Sequence, residues 1–174
     1  VKELQGKGVN VFTANIERDR LPFDDNSLDV IILNQIMEHV KDVFWILHEI
    51  SRVLKVGGKI IVGVPNLASL HNRFLLLLGK QPTSINNASA HVRGYTLGDF
   101  QRLLNSGFPN GYGLVKSGGS NFYPFPPPIA KPLAKVFPSM AWGCFMLWEK
   151  SKNYDGGFLT YPVKKKLETN FYLG

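Results

Sequence analysis

The sequence predicts an α/β fold in which a mainly parallel sheet carries helices on both faces. Two continuous apolar runs, residues 29–34 and 59–64, are typical of strands that are covered on both faces. Between them, apolar residues recur at helical spacing over residues 43–53, with Asp42 as the N-cap and the pair Gly57-Gly58 as the stop. A strand, a helix and a second strand in so short a stretch predict a right-handed crossover between parallel neighbours.

The elements on either side follow from similar patterns. Residues 9–14 are β-rich and predict a further strand, and residues 21–27 form a turn-rich connector. Downstream, Thr96 with Asp99 three residues later is a capping-box pattern, which predicts a helix that ends at Gly107.

Two late strands are expected near residues 113–116 and 142–150, and they can pair as an antiparallel edge of the sheet. The long link between them contains a proline run at residues 124–128. We interpret this run as a rigid connector in preference to a polyproline motif that recruits a partner. The last strand closes the predicted domain, which we place at residues 1–150, with a C-terminal extension at residues 151–174.

Composition limits the classes of partner and compartment. The 174 residues carry 20 basic and 13 acidic side chains, a net charge of +7 that is scattered along the chain. A single cysteine, Cys144, excludes an intramolecular disulfide and favours a reducing compartment, so we expect a cytoplasmic protein. No apolar stretch is long enough to span a bilayer. The chain begins without an initiator Met or a signal-peptide pattern, as if in mid-domain.

Three stretches in a specific order resemble the class I S-adenosylmethionine-dependent methyltransferases: residues 21–31, residues 37–42, and residues 49–58 leading to Val64-Pro65-Asn66. The stretch at residues 91–96, ahead of the Thr96 helix, resembles the subset that methylates small metabolites, lipids or glycans. The resemblance covers roughly residues 5–150.

This resemblance implies a partial Rossmann-like methyltransferase sheet with the strand order third, second, first, fourth, fifth, seventh, sixth. Family members bind their cofactor with a glycine-rich turn after the first strand and an acidic residue after the second. Neither feature precedes residue 9 here. We therefore expect residues 9–14 to be the third strand, the first two strands to be absent from this chain, and residues 29–34 to form a bare apolar edge.

The cofactor implied by the resemblance is S-adenosylmethionine, and five residues are candidates to bind it. Asn15 is expected to bond the adenine amino group, although a plain turn-forming role is comparable, and Ile16 would face the ring. Asn34 and Gln35 end the fourth strand, where they either hold the cofactor or cap the next helix. His39 either lines the cofactor pocket or serves as a hydrogen-bonded brace below it.

Three further residues are candidates for the acceptor side. His91 is expected to act as the base that removes the acceptor proton, and Arg93 to bind a carboxylate or phosphate of the substrate. The alternative is that His91 buttresses the Thr96 helix while Arg93 pairs with an acidic neighbour. Asn66 is expected to contact the substrate. No His, Cys or carboxylate set has metal-ligand spacing along the chain, so we expect no metal.

The predicted function is methyl transfer to a small or lipid-linked acceptor, with a catalytically inactive interaction module as the alternative. The sequence does not favour a nucleic-acid substrate, because only the net positive charge would support one. Residues 67–81 lie where the family places a cap over the acceptor. Their five consecutive apolar residues predict either a well-buried cap helix or an apolar wall toward a lipid or a membrane surface.

Overall fold

A computed structural model describes residues 2–167. The elements in this range are α1 Lys2–Gln5, β1 Leu28–Asn34, α2 Val43–Val53, β2 Leu54–Pro65, α3 Leu70–Leu77, α4 Leu97–Gly107, β3 Tyr112–Ser120, α5 Pro127–Val136, a 3₁₀ turn Pro138–Met140, β4 Gly143–Lys150 and α6 Gly157–Lys164.

The strands form one mixed sheet in the order β1-β2-β4-β3. Strands β1 and β2 are parallel, with Ile31 opposite Ile60. Strand β4 runs antiparallel to both of its neighbours, with Leu147 opposite Ile61 on β2 and Met146 opposite Ser117 on β3. The predicted α/β sheet, with parallel strands followed by an antiparallel pair, is confirmed. In the family topology that the resemblance implies, β1, β2, β4 and β3 correspond to the fourth, fifth, seventh and sixth strands.

Helix α2 forms because its apolar residues fall on one face and its first turn is capped. The Asp42 side chain accepts a hydrogen bond from Trp45 N at 3.0 Å, and the apolar face is buried throughout. The predicted stop at Gly57-Gly58 is wrong, because the helix ends at Val53 and β2 begins at Leu54. The glycine pair lies instead in an irregular stretch of β2, where Gly57 adopts φ +81° and the register with β1 shifts.

The Thr96 cap of α4 is confirmed, since its hydroxyl accepts a hydrogen bond from Asp99 N at 3.1 Å.

Helices α4 and α6 pack closely where α4 ends. A methyl group on Gly107 would lie 2.1 Å from the Phe158 ring, and one on Gly157 would lie 2.0 Å from the Gly107 carbonyl oxygen. Phe158 is fully buried in the main core. The described part of the 151–174 extension is thus packed against the domain.

The strand predicted at residues 9–14 is wrong, since this segment is irregular and pairs with no strand of the described range. Phe12 is 55% exposed, and its ring meets the Phe23 ring in a T-shaped arrangement with the ring centroids 5.5 Å apart. A β-rich composition produces a strand only when a neighbouring strand offers hydrogen bonds and a packing surface. The outer edge of β1 is bare as expected, with Val30 and Ile32 more than half exposed.

The proline run is a connector only in its first half. Pro127 and Pro128 open α5, at positions where a helix needs no N–H donor, so the second half of the run belongs to a helix and not to the predicted connector. Helix α5 then buries Ala130 and Ala134 in a small second core with Phe122.

The cap segment forms helix α3, but the prediction of a well-buried cap helix is wrong. Its N-cap Ser69 accepts from Asn72 N, and Asn72 is the helix residue that is buried. The apolar residues face outward, with Leu77 80% and Leu78 69% exposed. Within residues 2–167, no helix combines the length and the apolar character needed to cross a membrane.

Candidate cofactor and acceptor site

The carboxyl ends of the parallel strands β1 and β2 lie side by side and define one edge of the sheet. Gln35 follows β1 in a left-handed conformation, φ +55°, and its backbone N–H donates to the Gly63 carbonyl oxygen at 2.8 Å. Asn34 precedes it and approaches the backbone of β2 so closely that a methyl group on Gly63 would lie 2.4 Å from Asn34 Oδ1. Both predicted residues are exposed at this edge. Cofactor sites of open parallel sheets lie at such an edge.

Asn66, predicted as a substrate contact, is used within the fold. It is 3% exposed, and its Nδ2 donates to the carbonyl oxygens of Ser139 and Ala141, at 2.9 Å each. Its Oδ1 accepts from Ala68 N at 3.0 Å. The side chain therefore fastens the end of β2 to the turn that precedes β4.

A turn after Gln35 brings Glu38 and His39 beside His91. The Glu38 carbonyl oxygen accepts from Val92 N at 2.8 Å and from Arg93 N at 3.2 Å, which fixes the two segments against each other. The imidazoles of His39 and His91 meet edge to face, with ring centroids 4.8 Å apart.

Each of these histidines has one nitrogen engaged by the backbone. His39 Nδ1 lies 3.1 Å from the Ala90 carbonyl oxygen, and His91 Nδ1 lies 3.1 Å from the Ser84 carbonyl oxygen. A carbonyl oxygen only accepts, so Nδ1 carries the hydrogen and Nε2 keeps the lone pair on both rings. His39 is exposed and His91 is half-buried, so both Nε2 atoms are available for a proton or a ligand.

Among the residues that the structure describes, Arg93 pairs with no acidic side chain. Its Nε donates to the Val40 carbonyl oxygen at 3.2 Å and its Nη2 to the Lys41 carbonyl oxygen at 2.7 Å. These contacts join the segment before α4 to the segment before α2. Tyr95 completes the junction by donating its hydroxyl to Met37 O at 3.3 Å, and burial raises the pKa of Tyr95 to about 12.

The predicted adenine contact Asn15 lies in a turn. Its Oδ1 accepts from Glu17 N at 3.1 Å, the turn-forming geometry that the sequence left open, and its side chain is exposed. Ile16 packs against the main core. Glu17 holds the turn in place, because its Oε1 accepts from the backbone N–H groups of Lys41 and Asp42. Sequence reasoning missed Glu17, since nothing local distinguishes it from a solvated carboxylate.

Sequence reasoning also missed the ion network that anchors the connector at residues 21–27. Arg52 of α2 donates twice to Glu49, at 2.8 and 2.7 Å, and once to Asp25 Oδ1 at 2.7 Å. Its remaining donors reach the carbonyl oxygens of Phe23 and Leu21. Burial alone would raise the pKa of Glu49, but the Arg52 and Leu21 hydrogen bonds lower it overall. The hydrogen bonds that Arg52 donates to Glu49 raise the pKa of Arg52.

A cavity of about 400 Å³ opens beside the end of β2 and the start of α4. Its lining includes Asn66, Arg73, Leu97, Ser117 and Cys144. Burial raises the pKa of the Cys144 thiol to about 11, so the sulfur is a neutral wall of the cavity at physiological pH.

Comparison with known proteins shows which proteins this chain is similar to. A model described as a methyltransferase domain matches residues 1–62. A demethylmenaquinone methyltransferase of Bacillus cereus (strain AH187) is 38% identical over 139 residues, which cover 79% of this chain and 49% of that protein. Residues 1–62 thus match a methyltransferase domain, and the chain is similar to class I S-adenosylmethionine-dependent methyltransferases.

Two other comparisons agree with this similarity. The uncharacterized protein YafE of Escherichia coli (strain K12) is 32% identical over 96 residues, 55% of this chain and 45% of that protein. A solved S-adenosylmethionine-dependent methyltransferase from Thermotoga maritima superposes with a TM-score of 0.60 at 19% identity, over 86% of this chain and 68% of that one. At this identity the superposition concerns the fold alone. The chain spans about half the length of the curated relatives it matches.

Proposed function

We propose that the protein is an S-adenosylmethionine-dependent methyltransferase that acts on a small or lipid-linked acceptor. The observation that carries the proposal is the sheet order β1-β2-β4-β3 with β4 alone reversed, together with polar residues at the carboxyl ends of β1 and β2. The sulfonium methyl group of the cofactor is the group that would be transferred. The protein's part is to hold the reactants in line, to exclude water and to accept the proton that the acceptor loses.

For the cofactor, we assign the adenine end to Asn15 and Ile16 and the methionine end to Asn34, Gln35 and His39. The exposed amide of Asn15 lies in a turn that Glu17 anchors to the start of α2, so its position is fixed. Asn34 and Gln35 offer amide groups at the sheet edge, and the contacts with Gly63 limit their movement.

For the acceptor, we assign proton removal to His91, whose Nε2 keeps its lone pair while Nδ1 is held by the Ser84 carbonyl oxygen. The bound cofactor would supply the methyl group, and His91 Nε2 would accept the proton that the acceptor hydroxyl loses. The other two candidates for this side are Asn66 and Arg93, whose side-chain N–H groups donate to backbone carbonyl oxygens. We therefore expect these two residues to shape the site, and the acceptor to bind in the cavity beside β2.

The acceptor class is supported by the apolar surface of α3. Phe74, Leu77 and Leu78 are exposed on the helix that follows the end of β2, a place where an apolar acceptor or a lipid headgroup region would meet the protein. One relative is named a demethylmenaquinone methyltransferase, which favours a small organic acceptor. Peripheral membrane contact through this helix belongs to the same proposal.

Cofactor binding by the complete gene product tests the proposal. We expect saturable, one-to-one binding of S-adenosylmethionine in calorimetry and incorporation of its labelled methyl group into an organic extract. The alternative function is a catalytically inactive interaction module. That alternative predicts no cofactor binding at millimolar ligand.

A further inference from the structure

The Glu38 carboxylate is buried without a partner. The residue is 1% exposed, and neither oxygen has a hydrogen-bond donor among residues 2–167. An ionised carboxylate in such a place is costly unless a cation or several donors compensate it. The electrostatic partner of this side chain is therefore not supplied by the described residues.

Two imidazoles converge on the same place. One ligand atom each from Glu38, His39 and His91 can be chosen so that all three lie within 4.8 Å of one another. A divalent ion about 2.0–2.2 Å from each ligand would hold neighbouring ligand atoms about 3–3.5 Å apart. Side-chain movements on the order of 1 Å would close this difference, and the exposed His39 gives an ion access from solvent.

The surroundings of the histidines fit metal binding. A histidine that binds a metal typically donates its other ring N–H to a carbonyl or carboxylate oxygen, which fixes the ring and the tautomer. The Ala90 and Ser84 carbonyl oxygens do this for His39 and His91. The hydrogen bonds from Val92 N and Arg93 N to the Glu38 carbonyl oxygen hold the two ligand-bearing segments together in advance.

We propose that Glu38, His39 and His91 bind one divalent transition-metal ion. Two imidazoles and one carboxylate favour an ion of the Mn²⁺ to Zn²⁺ series over Mg²⁺ or Ca²⁺, which prefer oxygen ligands. The linear sequence concealed the site, because His91 lies far from the Glu38-His39 pair. Three protein ligands leave coordination positions open at the carboxyl edge of the sheet.

The role of the ion rests on the proposed function. A metal-bound hydroxyl loses its proton near neutral pH, so an acceptor oxygen in an open position would become a better nucleophile. With the ion bound, the Nε2 lone pair of His91 would be used in coordination. The ion would then activate the acceptor in place of the free imidazole, and the released proton would pass to solvent through the exposed side of the site.

The test is a titration of the metal-stripped complete gene product with Mn²⁺. Electron paramagnetic resonance monitors binding as the loss of the free-ion signal. We expect one bound ion per chain, displacement by Zn²⁺, which binds such sites more tightly, and no displacement by a tenfold excess of Mg²⁺. Loss of a partner that merely orients a ligand weakens metal binding about 10–100-fold. Glu38→Gln and His91→Gln remove ligands and should weaken it about 100-fold or more.

Three controls keep the test decisive. His39→Gln changes an exposed ligand without disturbing the core, so it weakens binding even if the Glu38 variant fails to fold. His48→Gln removes an imidazole that lies beside another buried glutamate, Glu49, outside the proposed site, and it should leave Mn²⁺ affinity unchanged. Absence of a bound ion, tight competition by Mg²⁺, or unchanged affinity in the His39 and His91 variants overturns the site. Binding of S-adenosylmethionine, measured without metal, is scored separately, so that failure of the metal site and failure of the methyltransferase proposal are distinguishable.

Discussion

Replacement of Arg52 by Met should be among the most destabilising single changes in the chain. The guanidinium is 9% exposed, and its five N–H groups meet five acceptors on Glu49, Asp25, Phe23 and Leu21. Methionine preserves the apolar stem but leaves Glu49, with a side chain 2% exposed, as an uncompensated buried charge. Loss of one partner from a buried pair costs about 3–5 kcal/mol, and we expect an effect in this range.

The chain contains a matched control for this change. Arg102 pairs with Asp99 at the same i,i+3 helical spacing, but its side chain is 77% exposed. Arg102→Met should therefore cost less than about 1 kcal/mol. Urea unfolding followed by circular dichroism measures both free energies. The double variant Glu49→Gln with Arg52→Met should recover about 1–3 kcal/mol of the lost stability, because the uncompensated charge of Glu49 is removed. Equal costs for Arg52→Met and Arg102→Met would refute the reasoning.

Three further predictions follow from other parts of the structure. Lys150→Met should cost about 1–3 kcal/mol in urea unfolding, because Lys150 Nζ donates to Asn26 Oδ1 and to the buried carbonyl oxygens of Ser51 and Leu54; a neutral result would contradict a bracing role. Burial lowers the pKa of His48, so the unfolded chain holds the proton to higher pH and the free energy of unfolding rises as pH increases toward 6.5. His48→Gln should flatten this rise between pH 5 and 7, and an unchanged slope would exclude His48 as its source. Asn15→Ala should weaken binding of S-adenosylmethionine by about 1–2 kcal/mol in calorimetry, and unchanged affinity would remove Asn15 from the cofactor site.

The sequence predicts those elements whose local signals and packing agree. The apolar face of α2 and the Thr96 cap of α4 are buried or bonded as the pattern indicates. The continuous apolar runs become neighbouring parallel strands. Cover on both faces is not realised for β1, because Val30 and Ile32 are more than half exposed. Where an element depends on a remote neighbour, local signals fail, and residues 9–14 lack the strand that their composition predicts.

The candidate site is harder to predict for a related reason. Its parts come from segments that are distant in sequence, and their hydrogen-bond partners are mostly backbone atoms, which no residue pattern reveals. Arg93 illustrates this, because it binds the carbonyl oxygens of Val40 and Lys41 and not an acidic side chain. Glu38 stands within the family-like stretch, yet only its burial beside two imidazoles shows that it needs a cationic partner.

Calorimetric titration of the complete gene product with S-adenosylmethionine tests the central claim most directly. The account predicts one saturable site, with affinity reduced by Asn15→Ala and unaffected by Arg102→Met, which changes an exposed ion pair on α4. Absence of binding at millimolar cofactor, in protein that unfolds cooperatively, would contradict the assignment of methyltransferase activity.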